Sequence, residues 1–198
     1  MVHKIPNCGF ANTYVVSVSG VLMVVDDVGS IGAAQDVEAY VRNQRGMSFD
    51  MVKCITATHF HIDHIGGIVL LLKKCPPTTR VLFHHLVKSY LEGRKKLSLI
   101  SNWWCGLLPA AFAGLRQVKK ISHLRFAGLA GIPLSLLRNI VHIPYDRQRI
   151  SYFGPASDRQ PLATASTPPG FPLGFDQWEF LETPGHMEDS VCFFNASS

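Results

Sequence analysis

The chain predicts one α/β layered domain, on three observations. Runs rich in β-branched residues alternate with helical patterns between residues 13 and 85. The first two runs meet at Ser19-Gly20, a hairpin signal, so the sheet is expected to be mixed. The composition is globular, 47% hydrophobic and 17% charged over 198 residues, enough for one buried core. Residues 1–198 are therefore taken as a single domain.

Each element follows from its local pattern. "TYVVSVSGVLMVVDD" (13–27) gives two strands around the turn. "SIGAAQDVEAYVRNQRG" (30–46) gives a helix, with Ala33, Val37, Tyr40 and Val41 on one face and Gly46 as its stop. "DMVKCITATH" (50–59) is a third strand, "GGIVLLLKK" (66–74) a helix and "TRVLFHH" (79–85) a strand. "LVKSYLEGRKK" (86–96) reads as helical. Near the end, "QWEFLETPGH" (177–186) and "SVCFF" (190–194) read as strands, separated from the rest by a Pro/Gly/Ser/Thr-rich loop over 152–175.

Composition narrows the class. There are five cysteines, widely spaced, with no Cys-x-x-Cys, which fits reduced thiols in a cytoplasmic protein. Cys54, on the third strand, is expected in the core. The N-terminus lacks the apolar run of a signal peptide. No glycine-rich phosphate motif and no internal repeat occurs. The net charge is +5, but residues 93–145 contain eight Lys and Arg and no Asp or Glu. The basic character belongs to that segment, and it carries no recognised reading motif, so no nucleic-acid partner is expected.

The chemistry concentrates in "THFHIDHIGG" (58–67). His59 and His61, two residues apart, fall on the same side of an extended segment. A tight loop after them brings Asp63 and His64 into the same space. Imidazole suits zinc, and a carboxylate can complete a site or orient water. Gly66 and Gly67 let the backbone turn sharply.

These ten residues resemble the signature of the metallo-β-lactamase superfamily of hydrolases. "ETPGH" (182–186), followed by Met187-Glu188-Asp189-Ser190, resembles the loop that delivers the family's next metal-binding histidine. The N-terminal hairpin, the aspartates Asp26 and Asp27 at a strand end, the helix and the metal strand follow the family's order. The resemblance covers roughly 10–85 and 176–195. It implies an αββα sandwich, with His59, His61 and His186 on a first zinc ion and Asp63 and His64 beginning a second site; iron or manganese can occupy similar ligands. It implies hydrolysis of an ester, thioester, lactone, amide or phosphodiester by a metal-bound hydroxide that Asp63 orients. Zinc lowers the pKa of bound water to about 7, which gives this a physical basis. Histidine at the second motif position, where the redox di-iron branch has glutamate, favours hydrolysis.

Against the family pattern the chain ends early, before a metal-bridging aspartate and a last histidine. The expectation is a sandwich incomplete at the C-terminus, one well-held zinc ion and a weak second site, with "SVCFF" as an unpaired edge. The alternative to a working hydrolase is an inactive fragment or half-domain that binds metal or a partner without turnover. An oligomer or a complementing chain would then supply the rest.

Residues 93–145 are expected as a basic, apolar helical insert beside the active site. Residues 97–115 carry no charge, and Asn102, Gly106 and Pro109 interrupt them. Three readings stay open: a helical subdomain with a solvated basic rim, a surface that contacts anionic lipid or a lipophilic small-molecule substrate, and a membrane span. The second would make the protein peripheral to a membrane. Elsewhere, Asp26 or Asp27 is a candidate to hold the metal loop. His84 and His85 are expected to be structural or solvated rather than pocket-lining. His123 and His142, in the insert, are not expected to be ligands. Glu182 and Glu188 are expected to be exposed.

Overall fold

The backbone at Ser19 and Gly20 takes φ values of 50° and 78°. Positive φ at both central residues is the turn whose twist matches two antiparallel strands. It joins β2 (Thr13–Val18) to β3 (Val21–Val25). The computed structural model describes residues 1–5, 11–26, 31–43, 47–65, 67–92, 94–95, 149–153, 160–161, 175 and 178–195. Most of the insert and of the 152–175 loop, and Asp27, His123 and His142, lie outside these residues.

A strand not expected from the sequence, β1 (Val2–Ile5), adds antiparallel to β2. After β3 the chain crosses through helix α1 (Ile31–Asn43) and one 3-10 turn (Phe49–Met51) into β4 (Val52–Thr56), which pairs parallel to β3. Two short helices follow, α2 (Ile62–Ile65) and α3 (Ile68–Leu72), and then β5 (Arg80–His84), parallel to β4. Helix α4 (Val87–Leu91) comes next. A further unexpected strand, β6 (Ile150–Phe153), closes this sheet parallel to β5. The order is β1-β2-β3-β4-β5-β6, mixed as expected. A second, antiparallel sheet contains β7 (Gln160–Pro161), β8 (Trp178–Glu182) and β9 (Val191–Asn195).

Period-two alternation sorts the large sheet into two faces. Val15, Leu22, Val24, Ile55, Val81 and Phe83 pack with Val37 and Val41 of α1 and with Ile65, Ile68 and Leu71. Their neighbours Val16, Met23, Val25, Cys54, Leu82 and Phe153 pack with Phe175, Trp178, Phe180 and Val191 of the second sheet. Helices therefore cover one face and a sheet the other, giving layers α, β, β among the described residues. Phe153 and Phe180 meet across the sheets with ring centroids 4.3 Å apart. Cys54 sits in this core as a free thiol, and burial pushes its pKa up to about 12.

The helix expected over 66–74 is α3 (Ile68–Leu72), and α2 is an additional turn ahead of it. The first turn already starts at His61, whose carbonyl accepts from His64 N at 2.9 Å and Ile65 N at 3.0 Å. This early turn swings His64 back towards the ring of His59. The "SVCFF" strand, expected as an unpaired edge, is the outer strand of its sheet among the described residues and pairs on one side with β8 along Val191–Asn195. It turns Val191 and Phe193 into the inter-sheet core. No helix among the described residues is long and apolar enough to cross a membrane.

Candidate metal centre

The parallel strands β4 and β5 and the antiparallel pair β8–β9 deliver their loops to one end of the sandwich. His59 and His61 leave β4; His186 sits in the β8–β9 loop. One ring nitrogen from each of the three lies within 4.8 Å of the others. His61 Nδ1 and His186 Nε2 are 3.0 Å apart, although 125 residues separate them in the chain. His64 joins the cluster with its ring 4.0 Å from that of His59.

Phe60 explains why the two loop histidines face the same way. It alternates between them, is fully buried, and packs on Phe83 and Tyr90 at centroid distances of 5.7 and 5.5 Å. Anchoring Phe60 in the helical-side core turns His59 and His61 to the opposite side.

Asp26 fastens the loop from beneath. It is buried, with φ at 56°, a conformation that Asp and Asn tolerate better than most residues. Its backbone N–H donates to Thr56 O at 2.9 Å. Its Oδ1 accepts from Thr58 N at 2.7 Å, and its carboxylate also takes the Thr58 hydroxyl, 2.9 Å from Oδ2. Since the carboxylate can only accept, the one hydroxyl proton of Thr58 goes to Asp26. The contact of 3.2 Å between Thr58 Oγ1 and His59 Nδ1 must then be donated by the imidazole. This fixes the His59 tautomer and leaves Nε2 with a bare lone pair. That atom is buried and has no hydrogen-bond partner. His64 Nδ1 also meets Asp26, 3.1 Å from Oδ2. One carboxylate thus orients two imidazoles, the usual arrangement around metal-binding histidines.

Asp189 locks the second loop onto the first. It is buried, and its Oδ2 accepts from Phe60 N at 2.8 Å; Val191 N donates to Thr58 O at 2.8 Å. Burial raises the Asp189 pKa. In the sequence Asp189 stands out only as part of the loop. Its role rests on a contact 129 residues long, and its place three residues after His186 was the available signal. Glu188 is exposed, as expected, and accepts from Tyr90 Oη at 3.0 Å and from Lys95. Glu182, also expected to be exposed, is instead half-buried against His84. The side chain of Asp63 lies outside the described side chains; its backbone is in α2 beside His64.

The donor set fits a metal ion. Two nitrogens on one tetrahedral zinc ion lie about 3.3 Å apart, so small ring rotations close the cluster. A buried, partnerless His59 Nε2 is costly unless something positive meets it. Burial first, then the neighbouring His64, His61 and His186, pushes the His59 pKa down to about 3. The ring is neutral at physiological pH, the form that binds metal.

A pH prediction follows. The folded pKa of His59 lies below its unfolded value of about 6.5, so the unfolded chain takes up the proton first. Stability of the metal-free protein is whole above pH ~6.5 and falls as the pH drops toward 3. Urea midpoints measured across that window should decline, and His59→Gln should flatten the slope. An equal slope in the variant would contradict it.

Comparisons with known proteins bear on the family and the fold. Residues 6–95 match the metallo-beta-lactamase superfamily. A metallo-beta-lactamase family protein from Thermus thermophilus aligns over 98% of this chain and 55% of its own, at 20% identity and a TM-score of 0.51, and shows the fold. A metallo-beta-lactamase from Cronobacter sakazakii aligns at 18% identity over 48% of this chain and 35% of its own, with a TM-score of 0.39. The metallo-beta-lactamase SMB-1 aligns at 29% identity over 45% of this chain and 33% of its own, with a TM-score of 0.37. The chain therefore spans between a third and about half of the length of these structures. A search of curated proteins gave no match. The stretch that matches the superfamily, residues 6–95, contains the whole histidine loop and the Asp26 clamp beneath it.

Proposed function

We propose that this chain carries the metal centre of a metal-dependent hydrolase. The observation that supports it most is the convergence of His59, His61 and His186 from two loops, with the His59 tautomer set for ligation. These three would hold the first ion, and zinc is the metal their nitrogens favour. Asp63 and His64 would begin a second position. When bound, the metal supplies Lewis-acid activation of water and of the bond to be cleaved.

The chain's own residues do the remaining work. Asp26 and Thr58 keep His59 and His64 in register. Asp189 holds the His186 loop against Phe60. Asp63 is the candidate to orient the attacking water. The substrate would be an ester, thioester, lactone or phosphodiester. The apolar, basic composition of 93–145 favours a lipophilic one, or contact with anionic lipid. A second reading, a metal-binding portion that turns over only with further polypeptide, is favoured by the chain's short span of its structural relatives.

Metal content by mass spectrometry, paired with hydrolysis of chromogenic esters and phosphodiesters, tests both. His186→Ala should lower the zinc content by about one ion per chain and remove turnover. Unchanged metal content in that variant would end the proposal. Metal bound in the wild type without turnover on any substrate would favour the second reading.

A further inference from the structure

A second cluster of ligand-type side chains lies outside the histidine loop. His84 ends β5 and is 2% exposed. Its Nε2 meets Glu182 Oε1, at the end of β8, at 2.8 Å. His85 follows, with its ring centroid 4.4 Å from that of His84. One ring nitrogen from each histidine and a Glu182 oxygen all lie within 4.8 Å of one another.

Read as a structural staple between the sheets, the His84–Glu182 contact accounts for only part of this. His84 Nδ1 and His85 Nδ1 are both buried and have no hydrogen-bond partner. Buried polar atoms are nearly always satisfied. Two neighbouring imidazoles, each with a partnerless buried nitrogen, grouped with a carboxylate have the composition of a metal site rather than of a hydrogen-bond network.

We propose that His84, His85 and Glu182 form a second metal site, sharing no residue with His59, His61 and His186, that takes a divalent transition-metal ion of the zinc type. Two imidazoles and a carboxylate favour zinc over magnesium or calcium, which prefer oxygen donors. Because His84 and His85 sit at the end of β5 and Glu182 on β8, the ion would tie the large sheet to the small one. Its place in the fold is a cross-link, and it stands whether or not the first centre hydrolyses anything.

The test is zinc stoichiometry by equilibrium dialysis on the full chain, with far-UV circular dichroism as the folding check. Glu182→Gln retains a hydrogen bond to His84 but is a poor ligand; His85→Ala removes a donor and a ring neighbour of His84 but leaves the His84–Glu182 contact. Each should bind about one zinc ion fewer than the wild type. Combining Glu182→Gln with His186→Ala should remove about two. Zinc should also raise the thermal midpoint of His186→Ala, and Glu182→Gln should cancel that rise. Wild-type stoichiometry in folded Glu182→Gln and His85→Ala would overturn the proposal. So would a His186→Ala chain whose remaining zinc survives both changes. Should either variant lose its fold, the thermal response of His186→Ala to zinc decides, and no rise there overturns it.

Discussion

Phe60→Ala is expected to lower the unfolding free energy by about 3–5 kcal/mol, a large share of the roughly 5–15 kcal/mol that typically holds a domain together. Phe60 is fully buried and touches both Phe83 and Tyr90, so its loss leaves a cavity walled by aromatic rings. The damage should not stop at stability. His59 and His61 are its immediate neighbours, and their direction depends on its anchoring. Zinc affinity should therefore fall in the same variant even where the chain remains folded. Urea unfolding of metal-free protein, beside zinc titration below the unfolding range, separates the two effects. A stability loss under about 1 kcal/mol would show that the site has collapsed onto the gap and that this account of Phe60 is wrong.

Asp26→Ala is expected to weaken zinc binding by about 10–100-fold, the usual cost of removing the group that orients a ligating histidine. It removes the acceptor for Thr58 N, for the Thr58 hydroxyl and for His64 Nδ1 together. It also leaves an alanine at φ 56°, a conformation that Asp tolerates better because its short polar side chain hydrogen-bonds locally. Asp26→Asn tolerates that backbone and retains one acceptor oxygen, so it should lie between the wild type and alanine in both affinity and stability. The ordering is the check. Equal affinity for zinc in all three would mean that the loop holds its histidines without help.

The contrast between what the sequence disclosed and what it hid follows the range of the interactions. The β2–β3 turn, the face of α1 with Val37 and Val41, and the histidine loop are local patterns, each readable within about ten residues. Asp26 was legible only as one of two candidates, with Asp27, because a strand-end aspartate beside a metal strand serves ordinary turn chemistry as readily as it holds the loop. β1 and β6 escaped because four-residue strands such as "VHKI" and "ISYF" are too short to establish a period-two pattern, and neighbours far along the chain make them strands. Asp189 and the His84–Glu182 pair escaped for the same reason. Their partners are 129 and 98 residues away, and nothing in the local sequence marks such a contact. The helix expected over 66–74 contains α3, whereas the extra turn α2, which aims His64, escaped because it lies ahead of the apolar run that marks a helix.

The separation between His61 and His186 also has a kinetic meaning. A nascent chain that has formed β1 to β5 already owns two of the three ligands, but the third arrives only when β8 and β9 have docked across the inter-sheet core. Contacts of this sequence span form late, because the closure of a long loop precedes any reward. Metal capture should then be the last event of folding. An ion held by all three histidines would bind only the docked state, and mass action would make it a latch that holds the two sheets together after they have met.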